Sequence, residues 1–117
     1  MYENDTFVER PWGKYFKLYQ ESGVWVKRVE VNPGGRISLQ KHDKRSEKWI
    51  IVKGVGKAVL DKKEFELTAG DVIEVPVLSE HRMINPSGEA PLVFIEVATG
   101  SYLGEDDITR IQDDYAR

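Results

Sequence analysis

The sequence predicts an all-β protein, a small antiparallel barrel or sandwich, and two observations support this. Glycine and proline recur at short intervals, and the runs between them are short and rich in Val, Ile, Phe and Trp. Short strands separated by turn residues are typical of antiparallel barrels and sandwiches. With 117 residues the chain is long enough for one core and too short for two, so a single domain over 1–117 is expected.

The predicted strands follow one another through a core of about residues 24–99. They are 24–31 (VWVKRVEV), 36–42 (RISLQKH), 48–53 (KWIIVK), 57–60 (KAVL), 65–67 (FEL), 72–75 (VIEV), 82–84 (RMI) and 92–98 (LVFIEVA). The turn at 61–63 (DKK) predicts a hairpin, and the turn at 68–71 (TAGD) predicts another.

The two ends of the chain are expected to lie outside this core, as an N-terminal arm (1–23) and a C-terminal tail (100–117). In the tail, Ile108, Ile111 and Tyr115 have helix-compatible spacing behind acidic residues. This spacing predicts a short C-terminal helical turn packed on the barrel.

Composition excludes several classes of function. The net charge of -3 gives no basic field, so nucleic acid is not expected as a partner. The absence of cysteine excludes disulfides and thiolate ligands, so any metal must be held by oxygen and imidazole. No apolar run reaches about 18 residues and no signal sequence is recognised, so we expect no membrane association and a cytoplasmic location.

Two polar segments predict a metal site. Alternation along a strand places Arg36, Gln40 and His42 on one face. A four-residue turn (DKRS) then leads to Glu47, and a hairpin here would bring Gln40 and His42 close to that carboxylate. His81 follows a second turn (PVLSE) at the head of another strand. Amide, imidazole and carboxylate groups together are suitable ligands for a divalent cation, with His81 as the fourth ligand.

The spacing of these residues resembles the cupin family. Its first motif is matched by Gly34, Gln40, His42, Glu47 and Gly54, with Gln in place of the usual first His. Its second motif is matched by Gly70, Pro76, His81 and Asn85. The resemblance implies an antiparallel β-barrel, or double-stranded β-helix (jelly roll), with one divalent metal in its mouth.

Further segments resemble the type II mannose-6-phosphate isomerase (phosphomannose isomerase) domain. They are "RPWG" (10–13), "VKR" (26–28), "RISLQ" (36–40), "RSEKW" (45–49) and "GSYLGEDDITR" (100–110). That domain commonly forms the C-terminal part of bifunctional mannose-1-phosphate guanylyltransferase/isomerase proteins. The resemblance implies zinc, although nitrogen and oxygen ligands also accept Mn, Co, Ni or Fe. The chain departs from the family pattern at Asp43 and Lys44, where histidines are frequent, and at Leu78, where glycine is frequent.

The activity implied by the resemblance is an aldose-ketose isomerisation of carbohydrate metabolism, from mannose 6-phosphate to fructose 6-phosphate through an enediolate. A metal bound to the substrate oxygens would stabilise the negative charge of that enediolate. Face alternation makes Lys27, whose pKa burial would lower, and Glu96 the candidates for the catalytic base. The alternative is that the two residues pair with each other or face outward.

Four arginines are candidates for binding the phosphate group: Arg36, Arg82, Arg45 and Arg110. Arg36 is chosen by alternation with Gln40, and Arg82 because it is adjacent to His81. The alternative is that both are rim residues in salt bridges with Glu30 or Glu80. The three tryptophans are expected to serve as core or dimer contacts rather than as sugar-stacking platforms.

Three functions are compatible with the sequence. The first is the sugar-phosphate isomerase, acting on a small molecule. The second is a non-catalytic metal-binding cupin that binds a sugar or sugar nucleotide, or assists a separate guanylyltransferase. The third is a metal-dependent dioxygenase, which the Gln ligand disfavours because oxygen activation usually needs an iron site richer in imidazole. An open barrel leaves edge strands and apolar outer faces, so a homodimer is expected.

Overall fold

The computed structural model describes residues 7–104 and 106–115. Within these ranges the chain forms strands and turns and no helix, which confirms the all-β prediction. The strands are β1 (Phe7–Arg10), β2 (Gly13–Glu21), β3 (Val24–Val31), β4 (Leu39–Lys41), β5 (Arg45–Lys53), β6 (Gly56–Leu60), β7 (Lys63–Leu67), β8 (Val72–Val75), β9 (His81–Ile84), β10 (Leu92–Gly100) and β11 (Thr109–Gln112). The same ranges contain no helix that is long and apolar enough to cross a membrane.

The strands form two antiparallel sheets. The larger has the order β1-β2-β3-β10-β5-β8, and the smaller has the order β11-β4-β9-β6-β7. Burial alternates along β3 and along most of β5, because successive side chains of a strand point to opposite faces. The buried apolar side chains of both sheets make one core, formed by Trp12, Tyr15, Val29, Val31, Trp49, Ile51, Ala58, Leu67, Val75, Met83, Leu92 and Phe94.

The predicted N-terminal arm contains two strands of the larger sheet. β1 pairs with β2, and β2 pairs with β3 over nearly its whole length. Trp12 and Tyr15 from this segment belong to the core. Residues 1–6 of the arm lie outside the described residues.

One of the two predicted hairpins is confirmed. β6 and β7 pair through a tight turn in which Asp61 and Lys62 have φ values of 48° and 72°, as in the left-handed turns that close two-residue hairpins. The prediction of a hairpin at 68–71 was wrong. The Asp71 N–H does donate to the Thr68 carbonyl at 2.9 Å, but β7 belongs to the smaller sheet and β8 pairs with β5 in the larger. This turn therefore crosses between the sheets.

The predicted strand over 36–42 is shorter, and it does not form a hairpin with the next one. Arg36 makes only an isolated bridge to Ile84, and regular pairing is confined to β4. Because β4 lies in the smaller sheet and β5 in the larger, residues 42–44 carry the chain from one sheet to the other. The side-chain alternation assumed across 36–42 fails at Arg36, because the strand is irregular before Leu39.

The helical turn predicted in the C-terminal tail was wrong. Thr109–Gln112 instead pairs as β11 with the free edge of β4, which supplies hydrogen-bond partners for its backbone. The Asp107 carboxylate accepts the backbone N–H groups of Asp43 and Lys44, so it is not used to cap a helix. Residues 105, 116 and 117 lie outside the described residues.

Candidate metal centre and cavity

Three buried side chains that are suitable metal ligands meet between the sheets. One ligand atom each of His42, Glu47 and His81 lies within 4.8 Å of the others. His42 Nε2 is 3.4 Å from Glu47 Oε2, and the two imidazole centroids are 5.0 Å apart. His42 follows β4, Glu47 lies on β5 and His81 begins β9, so the two sheets both contribute to the site.

On both imidazoles Nε2 is the nitrogen that carries the lone pair. His42 Nδ1 lies 2.6 Å from the Asp107 carbonyl oxygen, and His81 Nδ1 lies 2.9 Å from that of Ser79. A carbonyl only accepts, so Nδ1 carries the proton on each ring. Burial lowers the pKa of His42 to about 4 and also lowers the pKa of His81. Two neutral rings with this tautomer are the form that binds a metal.

Two hydrogen bonds donated by backbone N–H groups fix the turn before β9 and thereby position His81. The Leu78 N–H donates to the His42 carbonyl at 2.8 Å, and the Glu80 N–H donates to Asp61 Oδ1 at 2.9 Å. Leu78 adopts a φ of 71°, which is unfavourable for a side chain with a Cβ. This is the position at which the sequence departs from the family's frequent glycine.

Gln40 lies opposite His81 in the pairing of β4 with β9 and lines the same cavity. Its side-chain nitrogen donates to the Ser38 hydroxyl at 2.9 Å. This hydrogen bond uses the amide nitrogen of Gln40 and not the amide oxygen, which is the atom that would bind a metal. The placement of Gln40 is therefore compatible with the fourth-ligand role predicted from the sequence.

Glu47 is held by hydrogen bonds along its own strand. Because alternate residues of β5 face inward, Arg45, Glu47 and Trp49 share one face. Trp49 Nε1 donates to Glu47 Oε1 at 2.8 Å, and Arg45 Nε donates to Oε2 at 2.9 Å. Arg45 Nη2 lies 3.2 Å from His42 Nε2, which accepts from it. The guanidinium therefore contacts two of the three candidate ligands.

Residues 106–115, named here the C-terminal strap, complete the surroundings of His42. The Asp107 carboxylate accepts the N–H groups of Asp43 and Lys44, each at 3.0 Å. These two bonds hold the strap against the crossover between β4 and β5. The Asp107 carbonyl is thereby placed to accept the His42 Nδ1–H.

Arg36 and Arg82 bind the strap, and in the described part of the chain neither lines the cavity. Arg36 Nε lies 2.7 Å from one carboxylate oxygen of Asp114, and Arg82 Nη2 lies 3.3 Å from the other. The inward placement of Arg36 was wrong because the strand is irregular before Leu39, so that Ile37 lines the cavity instead. The partner is Asp114 rather than Glu30 or Glu80.

The cavity beside the candidate ligands has a volume of about 90 Å³. Its lining consists of Arg10, Trp12, Tyr15, Lys27, Val29, Ile37, Gln40, Arg45, Glu47, Trp49, His81, Phe94, Glu96, Ile108 and Arg110. Of the predicted arginines, Arg45 and Arg110 line this cavity. Arg10 was not predicted, although it is the first residue of the "RPWG" segment. This volume is small beside the roughly 300–1,000 Å³ of pockets that enclose a drug-sized ligand, so only part of such a molecule fits inside.

Lys27 and Glu96 face each other across β3 and β10, in the cavity wall. Lys27 Nζ is buried and lies 3.7 Å and 4.2 Å from the ring centroids of Trp25 and Tyr15. Glu96 accepts a hydrogen bond from Trp25 Nε1 at 2.9 Å. Burial, assisted by the nearby charge of Glu47, raises the pKa of Glu96 to about 7. A carboxyl group with this pKa exchanges protons readily at neutral pH.

The donor set fits one divalent metal. It offers two neutral imidazole nitrogens, a carboxylate and an amide oxygen, and each histidine is oriented through its second nitrogen by a carbonyl. Such ligands are suitable for zinc as well as for Mn, Co, Ni or Fe. The position of the Arg45 guanidinium conflicts with an ion at His42 Nε2.

The chain is similar in sequence to one protein family and to parts of longer biosynthetic proteins. The sequence matches the family model described as mannose-6-phosphate isomerase C-terminal over residues 1–113. It is 46% identical over 115 residues to the alginate biosynthesis protein AlgA of Pseudomonas aeruginosa, covering 98% of this chain and 24% of AlgA. It is 41% identical over 116 residues to a mannose-1-phosphate guanylyltransferase of Klebsiella pneumoniae, covering 99% of this chain and 24% of the relative. The chain thus spans about a quarter of these relatives.

A solved structure confirms the fold. The cupin-2 domain of Rhodospirillum rubrum superposes with a TM-score of 0.76, over 92% of this chain and 80% of that chain, at 19% identity. The cupin fold predicted from the two sequence motifs is therefore correct.

Proposed function

Because the chain belongs to the family of the mannose-6-phosphate isomerase C-terminal domain, we propose that it is a metal-dependent sugar-phosphate isomerase interconverting mannose 6-phosphate and fructose 6-phosphate. One observation carries the proposal. A single cavity is lined by three of the four candidate metal ligands, Gln40, Glu47 and His81, together with Glu96, whose pKa burial raises to about 7, and with several cationic side chains. These are the groups needed to bind an anionic sugar and to move a proton between two of its carbons.

Gln40, His42, Glu47 and His81 would hold the metal, and zinc is the ion we propose. When bound, the metal supplies Lewis-acid stabilisation of the negative charge that develops on the substrate oxygens. The protein contributes the burial of His42, Glu47 and His81, which excludes water and strengthens electrostatic interactions inside the cavity.

Glu96 is proposed as the proton-transfer residue. The reaction takes a proton from C2 of the aldose and delivers one to C1 of the resulting enediolate, while the hydroxyl proton of O2 passes to O1. One group with a pKa near the working pH can perform both transfers at carbon. The Trp25 hydrogen bond fixes the orientation of the carboxyl group. Lys27, opposite Glu96, is proposed to hold a substrate oxygen through its buried ammonium.

The size of the cavity suggests how the substrate binds. About 90 Å³ admits the reacting carbons but leaves the phosphate group outside, near the mouth. Arg10 is partly exposed and Arg110 is exposed, and both line the cavity. We assign the phosphate to these two residues, because guanidinium groups bind phosphate oxygens in a bidentate manner. Arg36 and Arg82 are not included, since both are paired with Asp114.

A coupled assay of fructose 6-phosphate formation tests the proposal on protein reconstituted with zinc. Glu96→Gln should lower kcat by about 100-fold or more while leaving metal content unchanged. Glu74→Gln is the matched control, because Glu74 is exposed on β8 and pairs with Lys48 at 3.7 Å. His81→Ala should lose both metal and activity. Full metal occupancy without turnover of any sugar phosphate would refute the isomerase.

The second candidate is a metal-binding cupin that binds a sugar or sugar nucleotide without converting it. It is supported by the name of the Klebsiella relative, which describes guanylyl transfer rather than isomerisation. Calorimetric titration with mannose 6-phosphate, mannose 1-phosphate and GDP-mannose separates the two candidates. Tight binding without turnover supports this second function.

We also propose a cytoplasmic homodimer. Val52 on β5 and Val72 on β8 are more than half exposed, and β8 is an edge strand of the larger sheet. Burying such apolar surface against a second copy is a common use of an edge strand. Light scattering coupled to size-exclusion chromatography tests the dimer.

A further inference from the structure

Arg45 bridges two of the three candidate metal ligands. Its Nε donates to Glu47 Oε2 at 2.9 Å, and its Nη2 donates to His42 Nε2 at 3.2 Å. The side chain is only 7% exposed, and its Cζ lies 4.7 Å from the centroid of the Trp25 ring. A cation supplied by the chain itself therefore contacts both ligands from within the protein.

The atoms contacted by Arg45 are those that a metal needs. His42 has only Nε2 for a cation, because its Nδ1–H is donated to the Asp107 carbonyl. Glu47 uses Oε1 to accept from Trp49, and its Oε2 accepts from Arg45. Arg45 and a metal ion would consequently compete for the single lone pair of His42 Nε2, and both would contact the Glu47 carboxylate.

Charge strengthens this competition. The guanidinium is permanently protonated, and it compensates the charge of the buried Glu47 carboxylate. A divalent ion placed against the same carboxylate would lie within a few ångströms of the guanidinium, in a cavity where repulsion is weakly screened. The two cations cannot both keep their contacts.

We propose that Arg45 is the internal counter-ion of the metal-free site, and that metal binding requires its guanidinium to leave His42 Nε2. Arg45 thereby weakens metal binding and keeps Glu47 paired when no metal is bound. Two observations agree with a displaceable guanidinium. The buried Nη1 has no hydrogen-bond partner among the described residues, and Arg45 lines the cavity, which provides space for movement. The inference requires a cation site but not isomerase activity.

Metal titration of the full chain tests the inference without any substrate. Arg45→Met should bind zinc and cobalt on the order of tenfold more tightly than the wild type, because it removes a like charge from the site. Lys48→Met is the control, since it removes an exposed cation from the same strand and should change affinity less than about twofold. Unchanged or weaker binding by folded Arg45→Met would overturn the inference.

Thermal unfolding and a metal-loaded structure provide independent measurements. Metal-free Arg45→Met should unfold at a lower temperature than the wild type, because Glu47 is left buried without its partner, and it should gain more from added zinc. If that variant does not fold, a crystal structure of the zinc-loaded wild type decides. Arg45 Nη2 should then lie beyond hydrogen-bond distance of His42 Nε2. A zinc ion on Nε2 with that hydrogen bond still present would contradict the proposal.

Discussion

His42 and His81 are buried to the same extent, each with 3% of its surface exposed, yet different parts of the chain hold them. The Nδ1–H of His81 is donated to Ser79, two residues earlier in the turn that precedes β9. The Nδ1–H of His42 is donated to Asp107, 65 residues later, in the C-terminal strap. One ligand is therefore oriented by its own turn and the other by a distant segment.

This difference shows that the C-terminal strap belongs to the site although it supplies none of the candidate metal ligands. Asp107 anchors the strap next to His42, and Asp114 anchors it to Arg36 and Arg82. Ile108 and Arg110 extend from the same segment into the cavity lining. Removing the strap should thus affect one histidine and spare the other.

Truncation after Gly104 is the strongest way to test this asymmetry. Without the Asp107 carbonyl, His42 loses its orienting partner, and zinc affinity should fall by about 10- to 100-fold. Because the chain has only two histidines, ¹⁵N spectra resolve both rings. The tautomer of His42 should become mixed while that of His81 stays fixed. Equal changes at both rings in a folded variant would refute the distinction between local and distant anchoring.

In the metal-free protein, the free energy of unfolding should depend on pH because the buried His42 has a lowered pKa. Its pKa is about 4 when folded and 6.5 when unfolded, so the unfolded chain binds a proton that the folded protein excludes between these values. Stability should fall on the order of 2 kcal/mol as pH decreases from about 6.5 to about 4. His81, whose pKa is also lowered, should contribute with the same sign.

Urea unfolding of the wild type and of His42→Gln over this range provides the measurement. The difference between the two curves removes the contribution of Glu96. Because the pKa of Glu96 is raised in the folded protein, its contribution to the free energy of unfolding decreases as pH rises towards about 7, which is opposite to the effect of His42. A difference that does not vary with pH would show that His42 is not held in its neutral form.

The smallest predicted effect concerns the turn that orients His81. Leu78 has a φ of 71° and is 58% exposed, so replacement by glycine relieves backbone strain without removing a core side chain. Leu78→Gly should raise the free energy of unfolding by about 0.5–1 kcal/mol and leave zinc affinity unchanged. Denaturant titration measures the first quantity and calorimetry the second. A lower stability would mean that the Leu78 side chain makes contacts worth more than the strain.

The candidate ligands were predictable because local spacing determines them. Turn residues set the distance from His42 to Glu47 and the start of β9 at His81, and these features are visible in the sequence. The hairpin that was expected to bring His42 and Glu47 together does not form, but the crossover between the sheets places His42 Nε2 3.4 Å from Glu47 Oε2.

The remaining parts of the site depend on contacts between distant segments. Alternation failed for Arg36 because the strand is irregular there, and Arg10 was missed because residues 1–23 were taken for an arm outside the core. The helical spacing in the tail was overridden by pairing with the edge of β4. The contact of Asp107 with His42 joins residues 65 positions apart, and no local pattern indicates such a contact.

Because the candidate ligands are divided between the two sheets, metal binding would affect the stability of the whole fold. An ion bound to Glu47 on β5 and to His81 on β9 would cross-link two layers that otherwise adhere through apolar packing. Its binding free energy would then add to the cohesion of the whole domain. The lifetime of the folded chain would therefore vary with the concentration of free metal around it.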